Sequence, residues 1–225
     1  MEEATHALFH IGPLEVTGTV TTMWAIILVL TVLSWLATRN LKDVPGPLQN
    51  LAESAVDYLR GYYGKILGEE NARKYFPVFA TFFVFIIVCN YSGILPGAGH
   101  YSAFHVPTAS LSVTAGLAVV AFFTIHVIGL KEKGFGKYLK HLFSTMPLPL
   151  FFLVIVEQFV RPFSLALRLY GNMYGEENVT ENLYKIFPIG VPLIMNVLSL
   201  LFCMIQALVF TMLLSIYTSE AFEEE

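Results

Sequence analysis

The sequence predicts an all-α integral membrane protein. It has about five membrane helices plus one interfacial amphipathic helix, and the last two membrane helices form a long tilted hairpin. Three observations carry this. Of 225 residues, 56 % are hydrophobic and only 13 % are charged, against about 25 % charged in an ordinary soluble domain. Apolar stretches near the ~20 residues needed for a crossing recur five times. The connections between them alternate between carrying basic residues and carrying few or none.

Composition also excludes function classes. The net charge is −4, with no basic patch for nucleic acid. The two cysteines, Cys89 and Cys203, lie inside apolar runs, which is neither a disulfide framework nor a zinc pattern. No metal and no cofactor is expected.

The elements follow in chain order. The first span covers 20–37. No Lys or Arg precedes Arg39, and a cleavable leader needs a basic opening segment, so this run is read as a span. Residues 48–67 place Leu51, Ala55, Leu59, Tyr62 and Ile66 at three- and four-residue steps, with charges on the other face. That is an amphipathic helix at the interface, opened by Pro45-Gly46-Pro47. The next spans are 75–95, 108–130, 146–175 and 189–217. Pro188, Gly190 and Pro192 mark a break before the last. There is no internal repeat, so 1–225 is read as a single membrane domain.

Basic residues set the orientation. None precedes the first span, six lie in 39–74, none in 96–107, four in 131–140, and only Lys185 in 176–188. The positive-inside rule places the N-terminus outside and the C-terminus in the cytoplasm, which needs an odd number of spans.

The fourth span is the informative one. At 100° per residue, Glu157, Arg161, Ser164, Arg168, Asn172 and Gly175 fall within a sector of about 80°. A narrow polar stripe therefore runs along an otherwise apolar helix. Ending the span at Val160 would leave a short helix with Arg161 and Arg168 on the wrong side of the charge rule. One tilted helix of ~30 residues, about 45 Å long, accommodates the stripe instead. The fifth span supplies a matching face in Ser199, Cys203, Gln206 and Tyr217. A hairpin centred on Phe187 sets Arg168 and Gln206 at one depth.

An arginine keeps its proton at any physiological pH, so Arg168 is a fixed positive charge and no proton carrier. It lowers the pKa of any carboxyl group brought near it. Glu157 and Glu177 flank it, one towards each side of the membrane. This suggests two aqueous access routes separated by a positive barrier. The chain holds few intramembrane acids, so a partner carrying a membrane carboxylate is implied.

The stretch Arg161-Pro-Phe-Ser-Leu-Ala-Leu-Arg-Leu-Tyr-Gly-Asn-Met-Tyr resembles the signature of the a subunit of F-type ATP synthases. Ile205-Gln-Ala-Leu-Val-Phe with the tail Tyr217-Thr-Ser-Glu is similar to that family's last helix. Asn90-Tyr-Ser-Gly-Ile-Leu-Pro96 resembles its second-span ending. The resemblance runs from about Pro45 onward. It implies the ion-translocating stator subunit, with the proton as the expected ion, beside a rotating ring of c subunits. The other implied partners are the b subunits of the peripheral stalk, the remaining ATP synthase subunits and membrane lipids. In the family an essential Arg, matching Arg168, displaces the proton from the arriving ring carboxylate and blocks leakage between offset half-channels. The resemblance adds Asn172, Gln206, Glu157, Glu177 and Asn90 to the ion pathway, with Ser164, Glu176 and Ser199 beside them. A bacterial plasma membrane is the implied location.

There are departures. Ser199 stands where some members carry His, Ser110 where some have Asp, and Gly93 where some have an acid. Glu176 adds an acid, so the outer route is expected to rely on water, Glu176 and Glu177. His6, His10 and His141 are read as surface residues, His100 and His105 as loop histidines, and His126 as a packing residue. No phosphate-binding loop occurs, so ATP chemistry falls to other subunits. Two other classes were weighed. A membrane hydrolase wants close His and acid pairs, which do not occur. A self-contained ion-coupled transporter wants a repeat or paired broken helices.

Overall fold

The computed structural model describes residues 7–11, 14–39, 46–94, 106–134, 136, 148–186, 190–220 and 222. The chain opens with a two-stranded antiparallel hairpin, β1 (Ala7–Ile11) and β2 (Leu14–Thr17), in which Phe9 pairs with Val16 and Ile11 with Leu14. This hairpin was not expected. Its signal is two short β-favouring runs separated by Gly12-Pro13.

Among the described residues six long helices follow: α1 (Gly18–Arg39), α2 (Pro47–Leu67), α3 (Glu69–Tyr91), α4 (Leu111–Lys133), α5 (Leu148–Ile186) and α6 (Val191–Glu220). Four stretches among them are long and apolar enough to cross a membrane: α1, α3, α4 and Ile194–Glu220 of α6. The chain is thus an all-α, multi-pass integral membrane protein with one short hairpin at its start.

α1 is nearly uniformly apolar and exposes Trp24, Leu28 and Trp35. Its Thr hydroxyls donate to the carbonyls of their own helix, as Thr31 does to Ile27 at 2.7 Å. This satisfies them where no water is available. Arg39 closes the helix with its guanidinium 5.0 Å over the Trp35 ring, an interfacial anchor in kind.

α2 starts where Pro47 can lose its N–H without loss, at the first helical position after Gly46. It buries Leu59, Tyr63 and Leu67, one turn apart, and leaves Glu53, Asp57, Arg60 and Lys65 exposed. Gly68 separates α2 from α3 at φ +79, a conformation that L side chains resist.

The core gathers where α3 meets α2 and α6, and α5 meets α4 and α6. α3 contributes Tyr75, Phe79, Phe82 and Ile86, at the three- and four-residue steps of a single helix face. α4 presents Thr114, Ala118 and Ala121. These small side chains let its backbone approach α5 closely, the packing mode that replaces hydrophobic drive in lipid.

α5 is the longest element at 39 residues, roughly 58 Å at 1.5 Å per residue. A hydrocarbon core of ~30 Å cannot hold that length upright. The helix continues through Pro162, as the stripe argument requires. It also runs eleven residues past the expected end at 175, converting most of the expected 176–188 connection into helix. Asn178 donates to the Tyr174 carbonyl at 2.7 Å and Asn182 to that of Asn178 at 2.8 Å, and no Gly or Pro interrupts 176–186. The expected turn centre at Phe187 lies outside the described residues. Gly190, at φ +92, precedes α6. The basic residues Lys137 and Lys140, and the histidines His6, His100, His105 and His141, also lie outside them.

Candidate functional site

The site is built on the facing surfaces of α5 and α6. α5 turns Leu165, Leu169 and Met173 into the core and exposes Phe159, Phe163 and Leu167 on another side. The polar stripe falls between these two faces. Ser164, Arg168 and Asn172 are exposed there, one turn apart. Among the described residues Arg168 forms no ion pair; the three that occur are Lys74–Glu132, Arg161–Glu157 and Arg161–Glu220.

One turn beyond Arg168, the Asn172 amide donates to the Gln206 carbonyl oxygen at 2.5 Å. Gln206 is 3 % exposed, and its own amide nitrogen has no partner among the described residues. Sequence reasoning had set Gln206 opposite Arg168. The hydrogen bond instead sets Asn172 opposite Gln206, moving the register by one turn. The pairing depends on where α6 starts, after Gly190 at φ +92.

Towards the closed end of the hairpin, Glu176 is half-buried against α6. The Cys203 sulfur lies 4.0 Å from its carboxylate and 4.0 Å from the Met173 sulfur, and the Ser199 hydroxyl lies beside the same carboxylate. Ser199 and Cys203 are both buried. Across from them, the Asn90 amide of α3 donates to the Cys203 carbonyl at 3.4 Å, leaving its Oδ1 without a partner among the described residues. Asn90, Glu176 and Ser199 therefore lie around Cys203. Glu177, the next residue round the helix, is exposed.

The other expected acid is placed differently. Glu157 lies eleven residues from Arg168, roughly 16 Å along the axis, and its carboxylate accepts from Arg161 at 2.7 Å. The second arm of that guanidinium reaches Glu220 on α6, and the guanidinium carbon lies 4.7 Å over the Tyr217 ring. This clasp was not read from the sequence, although Arg161 and Tyr217 each appeared on a polar face.

Two departures gain a physical account. A side chain at Gly93 would meet Val106 Cγ2 at 2.8 Å, so the fold leaves no room for an acid there. Ser110 sits at the N-cap position of α4 in extended conformation, where its backbone carbonyl, and not its hydroxyl, accepts from Thr114. His126 packs 4.1 Å from the Phe122 ring on its own helix, with Nδ1 2.9 Å from the Phe122 carbonyl.

Among the described residues no group of three or more His, Cys, Asp or Glu could hold a metal ion. What the arrangement offers is a cation on an outward polar stripe with no ion pair among the described residues, an amide pair beside it that is buried on the α6 side, and a half-buried carboxyl leading away.

Comparison with known proteins agrees in every part of the chain that carries these residues. The family described as "ATP synthase A chain" matches residues 20–219. "ATP synthase subunit a" of Trichlorobacter lovleyi is 40 % identical over 221 residues, covering 96 % of this chain and 92 % of that one. Its counterpart in Moorella thermoacetica is 37 % identical over 210 residues, covering 93 % of each. The protein of the same description in Gloeobacter violaceus is 37 % identical over 232 residues, covering 100 % of this chain and 92 % of its own. With the polar stripe of α5 and its partner face on α6 inside the matched region, the chain belongs to the ATP synthase A chain family.

Proposed function

We propose that this chain is the ion-translocating stator component of an F-type ATP synthase. In this reading Arg168 separates two offset half-channels that load and unload the carboxylates of a rotating c-subunit ring. The observation that carries it is Arg168 itself, exposed on α5 without an ion pair among the described residues. A charge at the bilayer centre costs roughly 3 to over 10 kcal/mol without a partner or a water path. A moving acidic partner supplies that charge intermittently. The flanking Phe159, Phe163 and Leu167 are exposed apolar groups, which can slide past a partner helix because they make no hydrogen bonds to break.

The mechanism follows from fixed charge. A carboxyl group arriving at Arg168 has its ionised form stabilised and releases its proton to one route. Leaving Arg168 for apolar surroundings, it must be neutral again and takes a proton from the other route. Arg168 cannot carry the proton across, so net transfer requires ring rotation. Each proton crossing 100 mV contributes about 2.3 kcal/mol. Synthesis of ATP falls to nucleotide-binding subunits of the complex, and the chain is not an enzyme by itself. The b subunits and the remaining subunits complete the complex.

The same reading treats 1–225 as one membrane domain, with α5 as a fifth crossing and α2 at the interface. The N-terminus lies outside and the C-terminus in the cytoplasm of a bacterial plasma membrane. Asn90, Ser199, Glu176 and Glu177 line the outer route; Ser164, Asn172 and Gln206 border the central charge; Glu157 stands at the inner mouth. The test is proximity. Ser164→Cys, one turn from Arg168, is expected to form disulfide cross-links with a cysteine placed beside the ring carboxylate when membranes are oxidised. Absence of any cross-link along Ser164, Arg168 and Asn172 in the intact complex would reject the ring-facing assignment.

The two outer acids are separable. Glu176 contacts Ser199 and Cys203, whereas Glu177 is exposed. Glu176→Gln is expected to slow ATP-driven proton pumping about 10²-fold, the lower end of the 10²–10⁴-fold range of positioned proton-transfer groups. Glu177→Gln should slow it less and shift its pH dependence. Equal effects of the two variants on pumping rates would show that both acids feed the route.

A further inference from the structure

The end of the bundle away from the α5–α6 turn holds a network that shares only Glu157 with the ion pathway. The Arg161 guanidinium is committed on two sides: Nη2 donates to Glu157 and Nη1 to Glu220. Its face covers the Tyr217 ring at 4.7 Å. Two residues past Glu220, the Phe222 ring stacks on Tyr75 of α3 with centroids 5.9 Å apart and planes 21° from parallel. The Tyr75 hydroxyl donates to Glu132 of α4, and Lys74 pairs with the same carboxylate. One set of contacts thus ties α5 and α6 together, and through the tail ties α6 to α3 and α4.

We propose that Arg161, with Glu220 and Phe222, forms a latch that fixes the axial register of α5 against α6, and so the depth at which Arg168 is presented. The physical need is specific to lipid. Apolar contacts such as Leu169 and Met173 against Cys203 and Phe210 do little to specify how far one helix slides along another, because acyl chains are equally good neighbours. Polar contacts do specify it. Between α5 and α6 the described residues give them on both sides of Arg168: Glu176 with Cys203 towards the turn, and the closer pairs Asn172 with Gln206 and Arg161 with Glu220; these closer two set the frame. On α5 they lie roughly 16 Å apart and bracket Arg168 between them. Two points fix both depth and rotation, whereas one leaves a pivot. Arginine suits the task because its planar fork meets two carboxylates at once, which lysine cannot do in the same geometry. The role of Arg161 is positioning; it acts through Arg168. Glu157 thereby serves as its counter-ion.

The consequence for coupling rests on the stator reading above, but the register claim has its own readout. In the assembled complex, Glu220→Gln and Phe222→Ala are expected to raise amide hydrogen exchange in the last turns of α6 and around Arg161. Both should lower protons pumped per ATP hydrolysed by about three-fold, the scale of a partly exposed ion pair, with the chain present at wild-type level. Arg161→Lys should retain part of the coupling. The swapped pair Arg161→Glu with Glu220→Arg should recover more than either single change. Wild-type exchange and coupling in both Glu220→Gln and Phe222→Ala would overturn the latch, as would a coupling loss that neither Arg161→Lys nor the swap eases. If instead exchange rises as expected but Ser164→Cys never cross-links to a ring helix, the latch stands and the stator reading fails.

Discussion

Membranes carrying Arg168→Ala are expected to show no ATP-driven acidification and no ion-driven ATP synthesis, while holding the chain at its normal level. The loss should be about 10²-fold or more, the scale of removing one preorganised electrostatic group at a reacting centre. Assembly should survive because nothing among the described residues pairs with this guanidinium, and removing an uncompensated charge from the lipid-facing side relieves a cost. Passive proton flux through the membrane sector should rise as the positive barrier disappears. Arg168→Lys is also expected to be severely impaired. An ammonium deprotonates far more readily when desolvated, so the barrier is no longer permanent, and the planar fork is gone. Coupled synthesis at normal rates in the alanine variant would remove the central claim about this chain.

The second large effect concerns the amide pair one turn away. Asn172→Ala strips the Gln206 carbonyl oxygen of its 2.5 Å donor, and the Gln206 amide nitrogen already lacks a partner among the described residues. A buried amide left wholly unpaired is expected to cost about 1–3 kcal/mol, lowering the detergent-solubilised melting temperature of the membrane sector and the pumping rate together. The double change Asn172→Leu with Gln206→Leu replaces both partners by apolar groups, which is close to neutral for stability. It should therefore restore the melting temperature without restoring pumping, if the amides also bracket the ion route. Full recovery of pumping in the double variant would assign the pair to packing alone. A melting temperature unchanged in Asn172→Ala would show that the hydrogen bond contributes nothing to the hairpin.

Much of this was legible before any coordinates. The helices follow from apolar runs of crossing length, and the amphipathic α2 follows from Leu51, Ala55, Leu59, Tyr62 and Ile66 recurring at three- and four-residue steps against charges. Which side chains are buried came from the packing, which covers Leu59, Tyr63 and Leu67. The exceptional character of Arg168 follows from its place on a polar stripe within an apolar helix. The grouping of Asn90, Glu176 and Ser199 around Cys203 was not legible, because it joins three helices. The continuation of α5 to Ile186 was not, because residues 178–185 are polar, and hydropathy falls there while the backbone hydrogen bonds go on. The opening hairpin was missed because its strands are short and flank a single Gly-Pro.

The sequence by itself determined that this chain lives in a membrane, which helix carries the uncancelled cation, and which family shares its motif. These depend on composition, periodicity and local spacing, all properties of neighbouring residues. The tertiary structure alone decided that Gln206 meets Asn172 and not Arg168, and that Glu157 is held by Arg161. It alone decided that Glu220, 59 positions beyond Arg161 in the chain, closes the far end of the hairpin. The reason is that axial register between two helices is set by how the chain passes Gly190 and by pairings across long sequence separations, and neither leaves a trace in the pattern of a single helix.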